Sequence, residues 1–85
     1  MRELHPEQAT YEANAALAAA GLSGLTITSV RSGTAYVTTT VSVSVGDADR
    51  VLAVLRALPY AGASGAGWRG KTYEVWISRR AGMAG

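Results

Sequence analysis

From residue 35 to residue 45 the chain alternates strictly. One parity holds Ala, Val, Thr, Val, Val and Val; the other holds Tyr36, Thr38, Thr40, Ser42 and Ser44. A period of two is the signature of a half-buried β-strand, because successive side chains leave a pleated backbone on opposite faces. The valine parity is therefore read as core and the hydroxyl parity as an outer face carrying one tyrosine, with the strand ending at Gly46. Just upstream, "LTITSVRSGTAYV" predicts a strand, a tight turn and a strand. Leu25 and Ile27 share one parity and Thr26, Thr28 and Val30 the other. Ser32 and Gly33 suit a two-residue loop, since glycine takes positive φ without steric cost.

Two stretches follow the helical period instead. Residues 6–20 are good helix formers, with Pro6 suited to a first turn, Glu7 beside the positive end of the dipole, and Gly21 as a stop. Ala9, Ala13, Ala16, Leu17 and Ala20 fall on one side, a face of small residues that can approach a sheet closely. Tyr11, Ala15 and Ala18 form a second, weaker apolar line on the opposite side. "GDADRVLAVLRALP" places Ala48, Val51, Val54, Leu55 and Leu58 on one stripe, with Asp49 and Arg56 pointing away. Asp47 is its expected N-cap, and Pro59 forbids continuation.

"YAGASGAGWRG" is too glycine-rich to favour either period, and residues 59–70 are read as a loop. Residues 72–79 return to alternation, with Tyr73, Val75 and Ile77 inward and Glu74, Trp76 and Ser78 outward. The predicted fold is an α+β two-layer sandwich of order α-β-β-α-β. Its three-stranded sheet carries two helices on one face, and its other face is open. A right-handed crossover would join the long strand through the second helix to the last strand. Residues 1–80 make one small domain and 81–85 a disordered tail. The order of elements resembles a ferredoxin-like βαββαβ unit without its first strand. That resemblance implies a vacant place between the second and third strands, either closed up or filled by a strand from a partner.

Composition then narrows the chemistry. The 85 residues have no Phe, so a core of Ala, Val and Leu must be thin and closely packed. A single lysine among eight basic residues, with abundant Ala and Gly, reflects a GC-rich coding bias. With no cysteine, disulfides, thiolate nucleophiles and cysteine-based zinc sites are excluded. No apolar run reaches the ~20 residues of a membrane span, and the first twelve residues lack the apolar stretch of a secretory signal; the expected location is cytoplasmic.

His5, the only histidine, falls in an N-terminal segment expected to fray, without a partner group to orient it as a base. Asp47 and Asp49 suit the first turn of a helix better than joint acid–base work, because i,i+2 side chains do not face each other. "GASG" at 62–65 has the GxxG spacing of a nucleic-acid backbone clamp but no basic residue within it, and it lacks the ending of a phosphate loop. No catalytic residue, metal ligand or cofactor is expected. The open face is the remaining surface of interest. Tyr36, Thr38, Thr40 and Trp76 lie on it by parity, with Trp68, Arg69, Lys71, Arg79 and Arg80 near the last strand in sequence. Thr and Ser also make an ordinary soluble β surface, but Trp, Tyr and Arg are the residues that anchor protein interfaces.

The expected function is that of a small non-enzymatic accessory protein, of the size common among bacterial and phage inhibitors and adaptors. Its expected partner is another protein or a second copy of itself, met through the open face, a sheet edge, or the Tyr11, Ala15, Ala18 line. The alternative is a module for single-stranded nucleic acid, using sheet-face aromatics and arginines. A net charge of +2 is modest for that role. No membrane partner is expected.

Overall fold

Pro6 opens the first helix, as its fixed φ and missing N–H permit, and α1 (Pro6–Ala19) ends just before Gly21 turns to a φ of +80°. The computed structural model describes residues 3–83. After α1 come β1 (Thr26–Ser32), β2 (Tyr36–Ser42), a short 3-10 turn (Val45–Asp47), α2 (Ala48–Arg56), β3 (Ala61–Arg69), β4 (Thr72–Arg80) and a last 3-10 turn (Ala81–Met83). The fold is α+β, with two helices on one face of a four-stranded antiparallel sheet ordered β1-β2-β4-β3.

The glycine-rich stretch is thus a strand, not a loop, and the element order gains a sixth member. Its partner is set by Gly70 and Lys71, a two-residue turn in which Gly70 takes a φ of +62° and Arg69 stands opposite Thr72. A glycine of positive φ at the first turn position matches the twist of the flanking strands, so the turn brings 61–69 back along β4 despite its poor strand propensity. The crossover from β2 through α2 therefore lands on β3, parallel to β2 with β4 between them. The vacancy expected in a ferredoxin-like unit is absent. The strand at 72–80 itself lies beside β2, in the place that resemblance gives to a first strand, while β3 takes the outer place.

The ends of that strand explain this arrangement. The Leu4 N–H donates to the Ala81 carbonyl at 2.8 Å, and the Ala81 N–H to the Ala35 carbonyl at 2.7 Å. Leu4, Ala9, Val37 and Ala81 form a small buried cluster. The expected frayed start and disordered tail are thereby corrected for residues 3–5 and 81–83; residues 84 and 85 lie outside those described. Three smaller expectations also shift. The β1–β2 loop has three residues, 33–35, because Ser32 still pairs with Tyr36. β2 stops at Ser42, since the chain turns into the 3-10 segment at Val45, which is exposed rather than core. Asp47 does not cap α2 through its side chain; its carboxylate accepts from Ser44 Oγ at 3.0 Å.

The main core lies between the helices and the sheet, built from Ala13, Leu17, Leu22, Val41, Ala48, Val51, Leu52, Leu55, Val75 and Ile77. Between it and the small cluster runs a polar seam. Thr39, on the valine parity and fully buried, shares a 2.8 Å hydrogen bond with Ser29, which accepts from Thr10 Oγ1 at 2.9 Å. Burying hydroxyls costs little when each finds a partner in this way. Beside the seam lies Arg79, 2% exposed, whose Nη2 is 2.8 Å from Glu12 of α1 and whose Nε donates to the Pro59 carbonyl at 3.0 Å. Among the described residues no helix is long and apolar enough to cross a membrane.

Removing one member of a buried ion pair strands the other charge in a medium that solvates it poorly. Glu12→Ala is expected to lower the unfolding free energy by about 2–4 kcal/mol, and Glu12→Ala with Arg79→Met to recover most of the loss. Urea unfolding of the two variants beside the parent checks this. Equal losses in both would show that the carboxylate does not neutralise Arg79.

Candidate binding face

Because both helices lie on one side, no helix or strand among the described residues covers the hydroxyl parity of β2. The uncovered face is built from Thr26, Thr28, Val30 and Ser32 of β1, the even positions of β2 and β4, and the glycine parity of β3. Ser32, Thr38 and Ser78 are linked across three strands by hydroxyl hydrogen bonds of 3.0 and 2.9 Å. That chain satisfies these three hydroxyls among themselves along the floor of the sheet.

Trp76 rises from this floor. It stands opposite Thr40 on β2 and Gly65 on β3. Its indole is laid over Gly65 so closely that a Cβ there would meet Cζ2 at 2.9 Å and Nε1 at 3.0 Å. Glycine at 65 is thus the condition for the ring lying flat across the sheet, while 36% of the residue stays in solvent. Two hollows flank this ridge. One, of about 370 Å³, is lined by Ser32, Tyr36, Thr38, Gly62, Ala63, Ser78 and Arg80, where the irregular register between Ala61 and Ser64 opens the strand. The other, of about 300 Å³, includes Thr28, Thr40, Ser42, Arg69 and Glu74.

Of the residues grouped by sequence, Tyr36, Thr38, Thr40, Arg69, Trp76 and Arg80 share this face. The others do not. Arg79 has the parity of Ile77 and is buried against Glu12, so it is corrected from surface ligand to interior ion pair. Trp68 pairs with Tyr73 and therefore lies on the helix side, with its ring edge-on to Tyr73 at 5.1 Å. Lys71 sits in the hairpin turn and with Trp68 borders a separate hollow at the sheet's end, which also includes Leu25, Val45 and Asp47. Tyr11, Ala15 and Ala18 are exposed on the outer side of α1, remote from the uncovered face. Arg80, Glu74 and Gly65 belong to the face and were legible in part. Arg80 shares the parity of Trp76, whereas Gly65 became visible only once its stretch was placed as a strand. His5 immediately precedes α1, exposed and making no side-chain cap. Among the described residues no three His, Cys, Asp or Glu side chains gather as metal ligands would.

No family model, curated protein or solved structure matches the chain. The functional reading accordingly rests on this face.

The contact between Trp76 and Gly65 gives a direct check on the geometry. In a Trp68→Phe background, Gly65→Val should lift the indole, shift its emission to the red and cost about 1 kcal/mol of stability. Unchanged emission would show that the ring does not lie on residue 65.

Proposed function

We propose that this chain is a non-enzymatic binding domain that engages a protein partner through the uncovered sheet face. The observation that carries the reading is Trp76, an aromatic ridge on an otherwise hydroxyl-lined floor, with Tyr36 and Arg80 in the hollow beside it. Trp, Tyr and Arg are the side chains that most often dominate interface energetics, since each contributes a large contact area with few torsions to freeze or a forked set of donors. The floor favours a partner that lies flat. Three of its hydroxyls, on Ser32, Thr38 and Ser78, already bond one another, so covering these strands no polar group. The absence of an enzymatic role is part of the proposal, supported by the one histidine standing exposed ahead of α1 and outside the hollows of the sheet face. So is the size-based reading as an inhibitor or adaptor.

Single-stranded nucleic acid is the second reading, favoured by Tyr36 and Trp76 sharing a face with Arg69 and Arg80. It is the weaker one here, because Arg79 is committed to Glu12 and Trp68 faces away, leaving Glu74 among the few charges on the floor.

Affinity capture from the native host, run in parallel with the parent and with Trp76→Ala/Tyr36→Ala, tests the proposal. A protein retained by the parent and lost from the double variant, with both proteins equally folded by circular dichroism, is expected. Equal retention by both would remove the face from the interaction. Titration with a mixed single-stranded oligonucleotide separates the second reading: saturable tryptophan quenching that weakens steeply with salt would replace protein by nucleic acid.

A further inference from the structure

A sheet has edges as well as faces, and the two edges here differ. On β1, Arg31 lies with its guanidinium held by Glu3 at 3.1 Å and by the Thr34 carbonyl at 2.9 Å, a charged side chain of the kind that blunts an edge. On β3, among the described residues, nothing pairs with the outer side, and between Ala61 and Trp68 there is neither a charge nor a proline. The register of β3 with β4 is uninterrupted from Ser64 to Arg69, so its outer N–H and C=O groups form a regular, unblocked ladder.

We infer that two copies of this chain join antiparallel through the outer edges of β3, about a twofold axis at Ala66, making one continuous eight-stranded sheet. An isologous joint must place each residue against a compatible residue of its copy. Ala66 then faces Ala66, Gly65 faces Gly67 of the second copy, and Ser64 faces Trp68 of the second copy. Within each pair the two members lie on the same sheet face, as antiparallel pairing requires.

Two features that the single chain leaves unexplained find a reason in this joint. Gly67 has an ordinary φ and nothing within 4 Å of the place of its Cβ, so the monomer does not require glycine there. In the pair it stands beside Gly65 of the other copy, under the distal atoms of the Trp76 indole that already exclude a Cβ at 65. A glycine inside a strand often marks such a close approach of another backbone. Trp68 is 65% exposed, the large side chain most out of place on the helix side. In the pair it covers Ser64 of the second copy, whose Oγ is held by Arg56 Nε at 2.8 Å, which brings an indole to a guanidinium. The only charged residue of β3, Arg69, falls at the two ends of the joint, about 20 Å from its copy, so like charges do not meet.

This joint lies beyond the proposed face interaction and does not depend on it. Either can fail alone, because the joint is made by the outer backbone groups of β3 and the face by the side chains of Trp76 and Tyr36. The chain has no cysteine, so single cysteines report cleanly. Residues opposite one another in an antiparallel ladder have Cα atoms about 4.5–5.5 Å apart, within disulfide reach. Ala66→Cys should therefore cross-link to a dimer under mild oxidation, while Val30→Cys, exposed on β1 at the other edge, should not. By sedimentation the parent should show twice its 8.8 kDa mass at roughly 100 µM. Ala66→Lys should weaken association roughly tenfold or more, and an equimolar mixture with Ala66→Glu should restore it. Gly67→Thr should keep or raise the melting temperature of the dilute monomer yet weaken association. A parent that stays monomeric at that concentration, or a dimer in which Ala66→Cys does not cross-link, overturns the inference.

Discussion

The buried pair of Arg79 and Glu12 organises this domain more than any other contact. Arg79 sits on β4, one of the two inner strands, and its guanidinium reaches both α1, through Glu12, and the link after α2, through the Pro59 carbonyl. One side chain thereby fixes how both helical segments lie on the sheet. Such a pair is weak evidence of net stability, because desolvating two charges offsets most of their attraction. Its value is positional: a shifted helix would leave the guanidinium without its anion. Among the described residues the Arg79 Nη1 makes no hydrogen bond. With Thr10, Ser29 and Thr39 it forms a polar seam that an all-apolar core of Ala, Val and Leu would lack.

Once the helices are fixed on one side, the other consequences follow. Fourteen residues of α1 and nine of α2 cover one face of four strands and no more. The second face must be soluble by its own chemistry, and threonine and serine achieve this while keeping good strand geometry. Cross-strand hydrogen bonds of Thr38 to Ser32 and Ser78 add to this where the three strands meet. The same bonds do not explain Trp76 or Tyr36, which add apolar area where solubility alone would avoid it. That mismatch directs the functional proposal to this face.

How far the sequence could be read depended on whether side chains were there to carry a pattern. Both helices, three strands and the facing of most residues in them followed from periodicity, and the exposure of Tyr36 and Trp76 followed from parity alone. The stretch at 61–69 failed because glycine contributes neither propensity nor alternation; Ser64, Ala66 and Trp68 alternate with Gly65 and Gly67, a contrast too faint to register as inside against outside. The available signal was the turn: Gly70 and Lys71 directly before a strong strand imply a hairpin and hence an arm preceding them. Missing that arm carried Trp68 to the wrong face. Placing Arg79 outside was a different error. Its parity with Val75 and Ile77 already pointed inward, but arginine is so seldom fully buried that composition overrode position.

The glycines of β3 connect these threads. A strand of this composition gains little from its own side chains, so its ladder to β4 and the indole laid across Gly65 must hold it. Trp76 is therefore committed twice: it stabilises the outer strand from above, and it forms the ridge of the uncovered face. A larger residue at 65 would keep the strand pairing but tilt the ring, altering the ridge without removing it. The indole laid across β3 constrains position 65 to glycine, although strand propensity taken alone would favour a β-branched residue there. The sequence carries glycine. The indole packed on Gly65 offsets what glycine costs the strand, so one contact both supports β3 and sets the height of the ridge.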